Sequence, residues 1–235
     1  MVRCLCPEEG AVIRAVLFDG YGTLFSGGMD KLYEVCQRIC DDHGVGLDGR
    51  GFLHEWDQFF FPLIRGEHFL TFRKAHAESL TVVFEKLGIE ARPDRYVEQI
   101  FRLLGEVTLY DEVRATLAAL DGFPHGVVSN ADSDHLHNAL SSNDLQFDLV
   151  VSSESAAAYK PNPAIFVPAL QALKADAREV LYVGDSQEDD IVAASRCGMQ
   201  VAWLNREGDT LQEGIPEPTF EICLLSEVLT ILSDA

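Results

Sequence analysis

The sequence has no long apolar run. Nothing in it approaches the roughly 20 consecutive apolar residues that cross a bilayer, so we expect neither a membrane protein nor a membrane partner. Its first ten residues, with one basic side chain and a very short apolar stretch, do not resemble an export signal. The cytoplasm is therefore the expected location.

Paired cysteines are also missing. The six cysteines include no CxxC pair, and in a chain without an export signal this spacing predicts reduced thiols. Cys36 and Cys40 are one helical turn apart, but no second pair of Cys or His follows at ligand spacing, which argues against a zinc site. The remaining cysteines are Cys4, Cys6, Cys197 and Cys223.

Basic residues are scarce. The 235 residues include 18 Lys and Arg against 38 Asp and Glu, for a formal net charge of −20. Such a charge repels nucleic-acid phosphates and acidic membrane surfaces, so we expect a small-molecule substrate and no nucleic-acid partner, in a monomer or homodimer. The length suffices for one large core, or for one core and a small second domain.

Five apolar runs typical of buried strands alternate with helical patterns. Continuous apolar strands that alternate with helices are typical of a parallel sheet covered on both faces. We therefore predict an α/β fold with a doubly wound, Rossmann-like parallel sheet. The runs are AVIRAVLFD (11–19), HGVVSN (125–130), DLVVSSE (148–154), VLYVGD (180–185) and QVAWLN (200–205).

Residues 29–106 follow a different pattern. They read as amphipathic helices, such as KLYEVCQRICDDHG and FLTFRKAHAESLTVVFEKLG, without a convincing strand. The glycines of SGG (26–28) before them suit a hinge. We predict a helical cap domain over 29–106, inserted after the first strand of a core domain formed by 11–28 and 107–235.

Polar side chains follow four of the predicted strands. In an open parallel sheet the ligand crevice lies beyond the carboxyl ends of the strands, so these side chains are candidates for one site. A lone Asp at a strand end is more often a turn former or a helix cap, and only the combination indicates chemistry. The residues are Asp19 after the first strand, Ser129 and Asn130 after the second, Lys160 after the third and Asp185 after the fourth.

The same residues lie in four motifs whose order resembles the haloacid dehalogenase-like hydrolase superfamily. The resemblance covers nearly the whole chain and includes an insert where the family has its helical cap. The motifs are DGYGTL (19–24), VVSN (127–130), YKPNP (159–163) and GDSQEDD (184–190).

The resemblance implies a role for each residue. Asp19 would be the nucleophile, forming an ester or acyl-phosphate intermediate that water then hydrolyses. Thr23, Ser129 and Asn130 would bind the substrate, with Ser129 and nearby backbone amides holding its anionic oxygens. Lys160 would also contact the substrate, orient Asp19 and offset charge on the transferred group.

The fourth motif implies a magnesium site. Mg²⁺ prefers oxygen ligands, usually one or two carboxylates with water and substrate phosphate. Asp185 and Asp190, with Asp19 and the backbone carbonyl of Tyr21, would supply these oxygens. Asp190 is favoured over Asp189 as the second acid, because DDIVAAS resembles the family's usual ending with Asp directly before Ile. The acids of QEDD also suit a solvated helix start.

Tyr21 departs from the family's phosphatases, which generally have an Asp there as general acid. A phenol with a reference pKa near 10 is a poor base at neutral pH, and general acid–base catalysis contributes about 10²–10⁴-fold. DGYGTL resembles the family's 2-haloacid dehalogenases, whose halide leaves without a proton. Those enzymes, however, have a halide-binding Arg where HEWDQFF (54–60) has Asp57, unless Arg65 or Arg73 replaces it, and they have Ser and Asn where GDSQEDD keeps acids.

Three functions remain open. We expect Mg²⁺-dependent, phosphatase-type hydrolysis of a small phosphorylated compound, because converging carboxylates without a cation destabilise one another. A 2-haloacid dehalogenase and a catalytically weakened binding protein are the alternatives. The aromatic run WDQFFFP (56–62) is expected to form a cap core. His125, His135 and His137 are expected to be surface or packing side chains.

Overall fold

The centre of the protein is one seven-stranded sheet. The computed structural model describes residues 3–4 and 12–234. The strand order is β1-β9-β8-β7-β2-β5-β6, in which six strands run parallel and β1 (Arg3–Cys4) pairs antiparallel with β9 (Phe220–Ile222). The predicted doubly wound α/β fold is confirmed. Residues 1–2, 5–11 and 235, which include Cys6 and the start of the first predicted strand, lie outside the described part of the chain.

Each of the five predicted runs contains a parallel strand that is shorter than the run. The strands are β2 (Ala15–Phe18), β5 (His125–Ser129), β6 (Leu149–Ser152), β7 (Val180–Gly184) and β8 (Gln200–Leu204). β2 and β7 end directly before Asp19 and Asp185, whereas β5 includes Ser129, which pairs with Ser152 of β6.

The sheet is buried on both faces. Along β2, Val16 and Phe18 pack into one apolar layer while Ala15 and Leu17 pack into the other, as the two-residue period of a strand requires. The helices that cover the faces are α5 (Val113–Ala119), α6 (Ser133–Ser142), α7 (Ser153–Ala156), α8 (Val167–Leu173), α9 (Val192–Cys197) and α10 (Val228–Asp234).

Four helices before α5 form an apolar core of their own, with Trp56 and Phe60 of the aromatic run buried in it. Residues 29–106 are all described and contain no strand, as the pattern predicts. We call this part the helical segment; its role as a separate cap domain stays a prediction. Its helices are α1 (Gly28–His43), α2 (Gly49–Ile64), α3 (Phe72–Leu87) and α4 (Asp94–Leu104).

Both connections between the helical segment and the sheet pass through one small ribbon. Strands β3 (Phe25–Ser26) and β4 (Thr108–Leu109) pair antiparallel, and Gly27 directly after β3 has a positive φ of 78°. The glycine lets the chain turn from the ribbon into α1, and its role as a hinge stays a prediction.

No helix within residues 3–4 and 12–234 is both long and apolar enough to span a bilayer. Four cysteines in this part of the chain are free thiols, and Cys36 and Cys40 among them are buried in the helical segment.

Candidate active site

Asp19 follows the strand at which the sheet changes direction. β2 lies between β5 and β7. From β2 the chain continues to β5 on one side, whereas from β7 it continues to β8 on the other side. A crevice is expected at the carboxyl ends of two strands whose connections diverge in this way. A tight turn follows, in which the Gly20 carbonyl accepts from the amides of Leu24 and Phe25, both at 2.8 Å. Gly22 has φ of 96°, and a Cβ there would lie 2.3 Å from Asp185 Oδ2. The turn therefore requires glycine and brings its backbone against Asp185.

Lys160 is the centre of the site. Its Nζ donates to Asp19 Oδ1 at 2.5 Å and to Asp190 Oδ1 at 2.6 Å, and it lies 2.9 Å from the Tyr182 hydroxyl. Only 2% of the residue is exposed. One buried ammonium therefore joins the predicted nucleophile to the last acid of the fourth motif.

Asn130 of the second motif holds the backbone of Lys160. Asn130 makes two hydrogen bonds with the backbone of Lys160: its Oδ1 accepts from the amide at 2.8 Å and its Nδ2 donates to the carbonyl at 3.1 Å. Its side-chain amide is thus used inside the protein, which makes it a positioning residue. Ser129 is buried, and a Cβ at Gly20 would lie 3.0 Å from its Oγ.

The fourth motif places its acids through an unusual turn. Residues Gln187–Ile191 form one π-helical turn, closed by the Ile191 amide donating to Ser186 O five residues back at 3.2 Å. Asp190 is thereby directed inward, where its Oδ2 accepts from the Ser186 amide at 2.9 Å. A Cβ at Gly184 would lie 2.3 Å from the Asp190 carboxyl carbon, so this position too requires glycine.

The Thr23 side chain contacts Asp185 in the fourth motif. It is fully buried, and its hydroxyl donates to Asp185 Oδ1 at 3.0 Å. Arg206 donates to the Thr23 carbonyl at 3.1 Å, pairs with Glu112 and stacks over the Tyr110 ring at 3.8 Å. Thr23 thus positions Asp185, and no motif in the sequence indicates the role of Arg206.

The three predicted acids come together. Asp19, Asp185 and Asp190 each offer a carboxylate oxygen within 4.8 Å of the others, and this is the one such group in residues 3–4 and 12–234. Asp189 is outside it and faces Arg65, with Oδ1 3.6 Å from the guanidinium. An all-oxygen donor set of this kind suits Mg²⁺.

Burial and mutual repulsion govern the charges of the acids. Burial, opposed by Lys160 and assisted by Asp190, raises the pKa of Asp19 to about 6. Burial and the charges of Asp190 and Asp19 raise the pKa of Asp185 to about 8. Burial alone would lower the pKa of Lys160, but the charges of Asp19 and Asp190 raise it well above its usual value. The lysine is therefore a permanent cation, and Asp185 is the acid least compensated by it.

The Tyr21 ring packs against one apolar layer of the sheet. It stacks on His135, with centroids 5.7 Å apart and planes within 3°. Its hydroxyl is buried without a hydrogen-bond partner in the described residues, and burial together with the charge of Asp19 raises the pKa of the phenol above its usual range. His135 is a packing residue, as predicted, but one at the site; His137 on the same helix is exposed.

The helical segment covers this end of the sheet. Asp132, which is 4% exposed, accepts from the first amides of α3, those of Phe72 at 2.5 Å and Arg73 at 2.9 Å. Tyr159 donates to the Leu70 carbonyl at 2.8 Å. Arg65 pairs with Glu188 at 3.1 Å. Three separate polar contacts therefore join the segment to loops that carry the second, third and fourth motifs.

Arg65 and Arg73 are the two candidates for a halide contact. Arg65 is paired with the acids of the fourth motif. The Arg73 guanidinium lies 4.1 Å from the centroid of the Phe101 ring, and its Nη1 lies 3.4 Å from Glu98 Oε1. Asp57, a residue of α2, is half-buried, and burial raises its pKa to about 6. Its charge adds to burial and to Cys40 in raising the pKa of the Cys36 thiol on α1.

Two residues at the site, Tyr182 and Asp132, were not predicted from the sequence. The Tyr182 hydroxyl lies 2.9 Å from Asp190 Oδ1 as well as 2.9 Å from the lysine, yet inside VLYVG it reads as one more apolar core residue. Asp132 lies two residues after Asn130, the last residue of VVSN, and this position was the one available signal.

Comparison with known proteins agrees with this geometry. The family model of the haloacid dehalogenase-like hydrolases matches residues 13–198. Haloacetate dehalogenase H-2 of Moraxella sp. (strain B) is 25% identical over 228 residues, which are 94% of this chain and 98% of that protein. Pyrimidine 5'-nucleotidase YjjG of Escherichia coli (strain K12) is 35% identical over 159 residues, 66% of this chain and 67% of that protein. The solved L-2-haloacid dehalogenase RSc1362 has the same fold, with a TM-score of 0.79 at 23% identity over 95% of this chain and 100% of that one.

Proposed function

Because the chain belongs to the haloacid dehalogenase-like hydrolases, we propose that Asp19 attacks a small organic acid and that this acid is a 2-haloacid. Tyr21 is the residue that favours this reaction over phosphate-ester hydrolysis. Its buried, unpartnered phenol with a raised pKa is unsuited to proton transfer near neutral pH, so a leaving group that departs without a proton fits the site. The relative named as a haloacetate dehalogenase supports the same chemistry. The phosphatase expectation from the sequence has less support.

The reaction has two steps. An oxygen of Asp19 forms a bond to the carbon that bears the halogen, and the carbon–halogen bond breaks with its electron pair leaving as halide. Water then attacks the carboxyl carbon of the resulting ester. The alkyl oxygen leaves with the product as a hydroxyl group, the second proton of the water goes to solvent, and the Asp19 carboxylate is regenerated.

The surrounding residues serve this attack by position and charge. Lys160 holds one oxygen of Asp19 and leaves the other for the substrate. Asn130 fixes the backbone of the lysine loop. We further propose that Ser129 contacts the substrate carboxylate and that the helical segment acts as the cap that encloses it.

A second candidate is hydrolysis of a phosphate ester, and the convergence of three carboxylates favours it. Asp19, Asp185 and Asp190, with the backbone carbonyl of Tyr21, would hold Mg²⁺, which would offset their charge and that of a phosphate. The raised pKa of Asp185 fits this assignment, because a carboxyl that lacks compensation gains most from a cation. The relative named as a pyrimidine 5'-nucleotidase supports this candidate.

One assay separates the two. Halide release from 2-chloropropionate and phosphate release from p-nitrophenyl phosphate are measured with EDTA and with millimolar Mg²⁺. We expect halide release that is unaffected by EDTA and is lost in Asp19→Asn, which keeps the shape of the nucleophile and removes its charge. Asp121→Asn, at an exposed position, is the matched control and should keep full activity.

Phosphate release that depends on Mg²⁺, without halide release, would replace the first candidate with the second. Turnover that persists in Asp19→Asn would contradict both. If neither compound nor a wider set of haloacids and phosphate esters is turned over, the remaining reading is a weakened member of the family that binds its ligand without hydrolysis.

A further inference from the structure

Two buried polar atoms beside the nucleophile have no hydrogen-bond partner in the part of the chain described. They are the Tyr21 hydroxyl oxygen and His135 Nε2, and they belong to the two stacked rings. His135 is 95% buried, since its exposed fraction is 5%. A buried polar atom left unpaired is destabilising, and native structures contain few of them. Two on adjoining rings therefore indicate a place where a ligand supplies the partner.

The pair lies where a substrate attacked by Asp19 would extend. Tyr21 is two residues after the nucleophile, whose charge acts on its hydroxyl. His135 is in the first turn of α6, close after the strand that ends at Ser129. On the other side Phe101 of α4 meets His135 edge-on, with ring centroids 5.2 Å apart. A group bound by the pair would thus contact both the sheet and the helical segment.

The chemistry of this place suits a neutral oxygen. Burial lowers the pKa of His135 to about 4, opposed by the charge of Asp134 and assisted by that of Arg73, so its imidazole is uncharged at neutral pH. The rings of Phe25 and Phe101 complete the surroundings. A phenol and a neutral imidazole each offer a donor or an acceptor, which matches a hydroxyl or carbonyl group. An alkyl substituent would leave both atoms unpaired.

We propose that Tyr21 and His135 form a specificity subsite for a hydroxyl or carbonyl oxygen on the organic part of the substrate. The substrates of this hydrolase are then small acids with an oxygen substituent, in preference to alkyl acids. The inference rests on the proposed function, because that function places the substrate at Asp19. A site that hydrogen-bonds an oxygen discriminates against an analogue without it by about 10- to 100-fold in kcat/KM for one such contact.

Two matched pairs of compounds test the subsite separately from the reaction. They are 2-chloropropionate with 2-chloro-3-hydroxypropionate, and n-propyl phosphate with 3-hydroxypropyl phosphate; the members of each pair differ by one hydroxyl. The pair that is turned over identifies the reaction, and the preference within it tests the subsite. We expect the wild type to favour the hydroxylated member about 10- to 100-fold and His135→Phe, which keeps a ring and removes Nε2, to lose most of that preference.

Binding of the same compounds to Asp19→Asn, measured by calorimetry, reports the preference without turnover. Failure of the reaction and failure of the subsite therefore give different results. His137→Phe, on the exposed side of α6, should keep the preference. If His135→Phe does not fold, Tyr21→Phe removes a single hydroxyl and replaces it in the test. Equal turnover and equal binding of both members of each pair would overturn the proposal. A preference retained in His135→Phe or in Tyr21→Phe would overturn it as well.

Discussion

Acid sensitivity of the helical segment follows from one buried histidine, His76. Its imidazole lies among aromatic rings, with the centroids of Phe60 and Phe72 both at 4.4 Å, and its Nδ1 donates to the Phe72 carbonyl at 2.8 Å. Burial lowers its pKa from 6.5 to about 4, and His135 and Arg73 act in the same direction. The folded protein thus resists protonation at a position that the unfolded chain protonates readily.

The sign and size of the effect follow from linkage. Between pH 6.5 and about 4 the unfolded state binds a proton that the folded state does not, so the free energy of unfolding falls as the pH falls through this window. For one such histidine the loss is about 2 kcal/mol at pH 5 and about 3 kcal/mol at pH 4. The whole pKa shift contributes to the unfolding free energy, because the buried side chain is not screened by solvent.

Replacement of His76 by Phe should remove this dependence. The unfolding free energies of wild type and His76→Phe are measured in urea at pH 7, 6, 5 and 4. The difference between the two proteins at each pH removes the contribution of the carboxylates, because both proteins contain the same ones. We expect the difference to shift in favour of the variant by about 2 kcal/mol between pH 7 and pH 5. His137→Phe, at an exposed position, is the control. Parallel pH profiles for wild type and His76→Phe would refute the reasoning.

Two further predictions concern the contacts around the site. Asp132→Ala removes both acceptors from the first amides of α3 and should lower the unfolding free energy by about 1–2 kcal/mol and raise KM, because the helical segment is held less firmly; unchanged urea unfolding and KM would contradict this contact. Tyr182→Phe removes a hydroxyl from Lys160 and Asp190 and should lower kcat about 5- to 10-fold with little change in KM, and a variant with wild-type kcat would show that the two carboxylates alone hold the lysine.

The sequence predicted those parts of the structure that local patterns encode. The parallel strands follow from apolar runs, and Asp19, Lys160 and Asp190 meet because strand ends in a parallel sheet share one edge. β9 was not predicted, because Phe220–Ile222 is only three residues long with a glutamate in the middle, which gives no apolar run.

Contacts between distant parts of the chain were beyond the reach of these patterns. Asp132 binds an amide 60 residues away, and nothing in the residues around either partner indicates it. Tyr182 differs from its neighbours in β7 only by a hydroxyl, so its hydrogen bonds to the acid and the lysine require knowledge of which strands are adjacent. Thr23 and Asn130 were predicted as substrate-binding residues, which stays a prediction, and their side chains contact Asp185 and the backbone of Lys160.

The ribbon of β3 and β4 bears on how this chain could change over evolution. Phe25 pairs with Leu109 and Ser26 with Thr108, so the two ends of the helical segment leave the sheet as direct neighbours, about 5 Å apart as paired strands are. A turn of a few residues would close that gap. Helices between these two points can therefore be exchanged, lengthened or lost as a block without altering the course of β2, β5 or β7. The helical segment and the loops that carry Asp19, Lys160 and Asp190 are in this way inherited on separable stretches of the same gene.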